Sequence, residues 1–359
     1  MEQDIDQLIS FLRRPLKLLG LDVLDPNWKL TPLTIYTFVM MFVQHCASYL
    51  FLTTHLDTFD VFTECFSTSA VGLEIAIRMM LLLYHRELLN ETIETIRFQN
   101  IKKLSSQVFK LVSMTLHSIA IIYISTMMFE LIPLVYPDPK KHNLPLPIYI
   151  PFLPIDVSPY WHLHYVFQTA LNLLCVFFLV AVDGTLVLSI LAAVHQIKGL
   201  KILIQELDTG ADQKVLNRQL IRIVQIHQRI KSYVHLLEQT YYLDLLVDFG
   251  LVCLILCMGL NVIAVEVMHP IWFFLVSVAF QLFLLCSCGN LLLIESDSLP
   301  NVVYSIDWYV MPVPEQKMLK FIIENAQPPL TLKGIFMPLI MSSFISVIKA
   351  SYSYFTLLH

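Results

Sequence analysis

A chain of 359 residues that is 57% hydrophobic and only 14% charged does not fold as an ordinary water-soluble globule. Its net charge of −5, without any basic block, excludes nucleic acid as a partner. The seven cysteines are odd in number and lie mostly in apolar sequence, so they read as packing residues rather than a disulfide framework.

Residues 1–32 open on acidic residues and hold no uninterrupted apolar run, so they are not a cleavable signal peptide. Arg13, Arg14 and Lys17 around Leu16, Leu18 and Leu19 read as a short interfacial segment on the inner leaflet. Seven apolar stretches follow: Leu33–Thr53, Phe66–Tyr84, Leu111–Val135, Leu163–Val194, Phe249–Val265, Pro270–Ile294 and Ile335–Leu358. Each is long enough to cross a hydrocarbon core, which takes about 20 apolar residues as helix. Lys and Arg number 4 before the first stretch, then 5, 7 and 3 in every second gap, against 0, 2 and 0 in the alternate gaps. Positive charge marks the cytoplasmic side. The expectation is a cytoplasmic N-terminus and an extracellular C-terminus, the inverse of a G-protein-coupled receptor.

The first outer gap is short and acidic. The second, Pro137–Pro159, together with Pro133 holds eight of the 18 prolines and reads as a rigid, extended cover over the outer mouth of the bundle. The sequon at Asn90 falls on the cytoplasmic side and is expected to stay unmodified. In the fourth gap, 195–242, a break at Asp208–Asp212 precedes Leu216, Leu220, Ile223, His227, Ile230, Val234, Leu237 and Tyr241. Their steps of 4 and 3 make a helical seam, so the fourth and fifth spans should continue into the cytoplasm. In the sixth gap, Glu295–Ile306 suits a short helix. Met311–Pro314 breaks it, and a second helix over Glu315–Gln327 ends at Pro328 and Pro329. This layer shows apolar faces but no evident core, which predicts packing against other subunits. No glycine pair is spaced as GxxxG.

Polar residues inside the spans are few. Glu74 and Arg78 stand four apart on one helix face and read as a neutralising pair, with a ligand-facing Glu74 as the functional alternative. His117, Glu130 and Asp183 are expected to face the bundle interior, and His162 and His164 read as interfacial anchors rather than metal ligands. The last span differs: Ser342, Ser346, Lys349, Ser353 and Leu357 follow steps of 4, 3, 4 and 4. A membrane helix lined by hydroxyls and one amine in its outer half makes sense where that face meets water, as in a pore. There is no GxSxG, no HExxH, no phosphate-cradling glycine loop and no di-metal carboxylate set, so no enzyme, cofactor or metal is expected.

The C-terminal third carries a resemblance. Phe283–Asn290, Glu295-Ser296, Val303-Tyr304, Asp307-Trp308-Tyr309, Ala326-Gln327-Pro328-Pro329-Leu330 and Ser351–Leu358 resemble the insect odorant receptor family. The thinner similarity upstream is one of architecture. The chain lacks the Thr-Tyr…Gln-Phe ending usual in the sister gustatory receptors. Its fourth gap is much shorter than the coreceptor's, so it resembles an odorant-specific tuning subunit.

The resemblance implies an all-α membrane protein of seven transmembrane helices. It would be one subunit of a ligand-gated, non-selective cation channel, assembled as a heterotetramer with the odorant receptor coreceptor in the plasma membrane of olfactory sensory neurons. Residues 1–32 would be cytoplasmic, and 33–290 would hold six spans with the odorant pocket in their outer half. Residues 291–334 would be anchor helices and 335–359 the pore-lining helix, with Leu357 as gate. Depth and face nominate Ala70, Leu73, Glu74, Tyr123, Met127, Thr169, Asn172, Leu173, Ile263, Trp272, Phe273 and Phe280 for a dry pocket holding a small hydrophobic volatile. A G-protein-coupled chemoreceptor, a gustatory-type channel and a transporter or membrane enzyme are the competing readings.

Overall fold

The computed structural model describes residues 2–54, 59–98, 110, 113–118, 120–121, 160–265 and 271–358. Among these the helices are α1 (Glu2–Leu18), α2 (Pro32–Thr54), α3 (Phe59–Tyr84), α4 (Arg86–Phe98), α5 (Tyr160–Gln205), α6 (Gln213–Val265), α7 (Ile271–Asp297), α8 (Leu299–Tyr304), α9 (Val313–Ala326) and α10 (Met341–Leu358). A 3-10 turn at Trp308–Val310 separates α8 from α9. Six of the seven expected spans coincide with α2, α3, α5, α6, α7 and α10. The third is described only at residues 113–118 and 120–121, which are helical. The proline-rich stretch and Glu130 lie outside the described residues.

By length and apolarity, four described stretches suffice to cross a membrane: Pro32–Phe51, Tyr160–Gln205, Gln213–Ala264 and Ile271–Tyr304. The helices that are less apolar have a visible cause: α3 carries Glu74 and Arg78, and α10 carries five serines and a lysine. Helices α5 and α6 run for 46 and 53 residues, more than twice what a bilayer needs, so each projects well beyond it.

The seam expected in that projection is real. Leu216, Leu220, Ile223, Ile230, Val234, Leu237 and Tyr241 are all buried on one face of α6. They do not wait for another subunit, however. Their core is continuous with Ile197, Leu200 and Ile204 of α5, Leu299 and Val303 of α8, and Leu319 and Ile322 of α9. The expectation of a coreless layer is therefore corrected: faces that look unpartnered one at a time cover each other once α5, α6, α8 and α9 are assembled.

Polar contacts finish that layer, and several use residues of the C-terminal motifs. Lys201 Nζ donates to Glu295 Oε2 at 2.6 Å and to Ser298 Oγ, with Lys198 Nζ 3.3 Å from Glu295 Oε1. The Leu330 amide donates to Ser296 Oγ at 2.9 Å, which draws the segment after Pro328 and Pro329 back onto α7. An isolated antiparallel bridge between Lys333 and Pro338 then turns the chain into α10. At this turn Gly289 of α7 meets the Leu339 carbonyl where a Cβ would stand, so only glycine admits the approach.

His227 sits in the seam, where burial and the neighbouring Lys231 charge push its pKa below the ordinary histidine value. The unfolded chain therefore takes up this proton first, near pH 6.5. Stability is expected to fall as pH drops below that point, and a His227→Phe variant is expected to lose part of the dependence. Melting temperature of the purified protein between about pH 7 and 5 checks this. Identical acid slopes for the two proteins would remove His227 as the cause.

The N-terminal segment also departs from expectation. Leu8, Ile9, Leu12 and Leu16 of α1 are buried in the main core, and Leu12 reaches into the space left by Gly184 of α5. The turn after α1 is closed by Gly20 at φ +71°, whose carbonyl accepts from Trp28 Nε1 at 2.9 Å and Thr34 Oγ1 at 2.6 Å. Arg13 grips Asp22 through two donors at 2.8 and 2.6 Å and reaches Asp25 at 2.8 Å. Arg13, with Lys17 3.9 Å from Asp22, thus serves an intramolecular clamp, and the apolar face of α1 packs into the main core.

Candidate functional site

On α3, Ala70 and Glu74 are four apart and both buried, whereas Leu73 between them is 46% exposed. On α5, Thr169 and Asn172 are half-buried and Leu173 is exposed. The Thr169 hydroxyl donates to the Tyr165 carbonyl at 2.9 Å. Ile263 of α6 is buried, and Trp272, Phe273 and Phe280 of α7 are exposed. Tyr123 and Met127 lie outside the described residues. The structure therefore directs Ala70, Glu74 and Ile263 into the bundle and turns Leu73, Leu173 and the three α7 aromatics outward.

A polar and aromatic face near the start of α5 was missed. Trp161, His164, Tyr165 and Gln168 are all buried, His164 and Gln168 completely, and the Trp161 and Tyr165 rings lie 5.2 Å apart. The signal was present: steps of 3 and 4 carry this face on to Leu171 and Cys175, both buried. His164 is thus an interior residue rather than an interfacial anchor, while His162 is exposed as expected. His117 reverses the other way: it is exposed, stacked 5.5 Å from Phe11, and not an interior residue.

Deeper in the bundle, Glu74 and Arg78 form the expected pair, at 3.2 Å, but as part of something larger. Arg78 Nε and Nη2 donate to the two oxygens of Asp244 at 2.9 and 3.1 Å. The same Nη2 donates to Asp183 at 2.6 Å, and Nη1 lies 3.5 Å from Asp248. Gln281 of α7 donates to the other oxygen of Asp183 at 2.8 Å. One fully buried guanidinium thus ties α3, α5 and α6 together through four buried carboxylates, and Asp183 passes the tie to α7. A planar five-donor fork suits this role, which a point-charge ammonium would fill poorly.

The last helix has two opposed faces. Ser343, Val347 and Ser351 are buried, and Ser351 Oγ donates to the Cys253 carbonyl of α6 at 3.1 Å, which sets the rotation of α10. On the other side Ser342, Ser346, Lys349, Ser353 and Leu357 are all exposed, Leu357 at 78%. An apolar exposed flank of Ile345, Ile348 and Tyr352 lies beside this stripe. Because α10 begins only at Met341, Lys349 sits near its middle rather than in its outer half. It is about 12 Å from each end at about 1.5 Å per residue. Among the described residues it has no ion partner.

The sequence profile described as "7tm Odorant receptor" matches residues 59–352, most of the chain and all of its junction and last-helix residues up to Tyr352. The chain belongs to the odorant receptor family. Curated odorant receptors similar to it include odorant receptor 10 of Aedes albopictus, 30% identical over 60% of this chain and 60% of that one. Odorant receptor 85c of Drosophila melanogaster is 29% identical over 40% of this chain and 38% of its own length. The matches to curated odorant receptors thus span between about a third and three fifths of their length. The insect olfactory receptor OR5 from Machilis hrabei, solved alone and in complex with eugenol, shares the fold at a TM-score of 0.82. That likeness covers 99% of both chains at 15% identity.

Proposed function

We propose that this odorant receptor is the odorant-binding subunit of a ligand-gated, non-selective cation channel. It assembles with the odorant receptor coreceptor as a heterotetramer in the plasma membrane of olfactory sensory neurons. The N-terminus is cytoplasmic and the C-terminus extracellular. The observation that carries the reading is the exposed stripe on α10, with an unpaired Lys349 near mid-helix. Its four-carbon stem is too short to carry the ammonium to either membrane surface, so lipid contact would leave a charge in hydrocarbon. A water-filled path is the environment that fits a hydroxyl-lined face bearing a charge.

Ligand binding rests on a different set of residues. Buried Ala70 and Ile263, with the buried Trp161, His164, Tyr165 and Gln168 face, would supply an apolar and aromatic lining with a few polar groups, the composition of a small-molecule site. The complex of the Machilis hrabei receptor with eugenol supports such a site in this fold. Cells expressing this chain with the coreceptor are expected to pass inward cation current when a panel of volatiles is applied, and cells lacking either chain are expected to respond to none that needs this subunit. A G-protein-dependent response from this chain alone would sink the channel reading.

A further inference from the structure

One residue on the exposed face of α10 is at odds with cation conduction, the reading on which this inference rests. Lys349 lies between Ser346 and Ser353, one turn away on either side, and no residue of α10 is acidic. Helices α6 and α7 pack against α10. Of the carboxylates on those helices, Asp244 and Asp248 face Arg78, Glu238 lies 3.7 Å from His235, Glu295 is paired with Lys198 and Lys201, and the exposed Asp297 forms no ion pair with Lys349. Among the described residues the positive charge is thus left uncompensated. Its direction is fixed as well: Ser351, two residues on and on the opposite side of the helix, is bonded to the Cys253 carbonyl, so Lys349 points away from its own bundle.

We propose that Lys349 is a selectivity-determining residue of the conduction path, disfavouring divalent against monovalent cations once for every copy of this chain in the assembly. Coulomb repulsion scales with the charge of the passing ion. At about 6 Å in water it lowers divalent relative to monovalent passage roughly threefold per lysine, and more where a narrow, low-dielectric wall confines the field. The factor compounds around a ring. Four copies would disfavour divalent ions by about a hundredfold and repel monovalent ones as well. Efficient conduction therefore depends on partner subunits that bring no positive charge to this level.

The test records odorant-evoked currents from this chain coexpressed with the coreceptor and reads calcium against sodium permeability from bi-ionic reversal potentials. Relative calcium permeability is expected to rise roughly threefold in Lys349→Gln and further in Lys349→Glu, and to stay put in Lys349→Arg. The odorant concentration for half-maximal current is expected to be the same in all four, which a merely structural role would not preserve. If Lys349→Gln fails to reach the surface, Lys349→Cys treated with a cationic or an anionic methanethiosulfonate gives the same comparison. The cationic reagent should restore the wild-type ratio and the anionic one raise it. Odorant currents with one permeability ratio across all variants would overturn the role of Lys349 while leaving the channel reading intact. No current from the wild-type pair would overturn both.

Discussion

Arg78→Leu is expected to abolish delivery of the receptor to the cell surface. Arg78 is fully buried, and the four carboxylates around it lie on three different helices. Removing the guanidinium leaves like charges facing each other away from water. Breaking a buried ion pair by deleting one partner costs about 3–5 kcal/mol, and here several partners lose their counter-charge together. That is comparable with the whole stability of many domains. Arg78→Lys is expected to recover part of the surface signal, since it keeps the charge but not the bidentate grip on Asp244. Asp248→Asn, at the longest of the four contacts, is expected to be tolerated, because it removes a carboxylate from a site with an excess of them. Surface biotinylation with detergent-solubilised melting curves checks the series, and Arg78→Leu at wild-type levels in both would show the junction to be dispensable.

The second large effect is expected on α10. With cysteine at Ser346, Ser353 or Leu357 and the coreceptor present, a cationic thiol reagent should eliminate most of the odorant-evoked current. Cysteine at Val347 or Ser351 should leave it unchanged. The first three positions are exposed, and the last two are packed against the bundle at 3% and 1% exposure. Bulk added on the exposed face either fills the conduction path or, at Leu357, prevents an apolar ring from closing and opening by dewetting. A reagent that acts on neither group would return the serines to ordinary helix packing and the stripe to a contact with another subunit.

Several features were legible in one dimension because their cause is local. A run of apolar residues states its length, so α2 and α7 fall within a few residues of expectation. The 3.6-residue period of Leu216 to Tyr241 states a face, and that face is buried. Pro314 in the first turn of α9, and Pro328 and Pro329 just past its end, act through their own backbone. The pairing of Glu74 with Arg78 is equally local, since four residues make one turn.

Partnership across the fold was not legible. The helices expected to be cytoplasmic looked coreless because each carries only one wall of a core whose other walls stand up to about a hundred residues away in sequence, as Lys201 to Glu295 shows. The N-terminal helix looked interfacial because basic residues beside leucines are common to membrane surfaces and to clamped interior helices. The Arg13 contacts to Asp22 and Asp25 decide between them.

By itself the sequence determined the class of the protein: a helical membrane chain, its spans, the charge bias that sets its expected orientation, and a last helix with one polar face. Hydropathy and helical period are sums over neighbours, and neighbours are what a sequence contains. Tertiary structure alone decided that Arg78 serves Asp183 and Asp244 as well as Glu74, partners up to 166 positions distant. It decided that α5 buries a Trp161 to Gln168 face, and that Ser351 turns Lys349 outward. The reason is physical: a buried charge takes its counter-charge from whichever helix packing brings within about 3 Å, and that distance is a property of the assembled bundle.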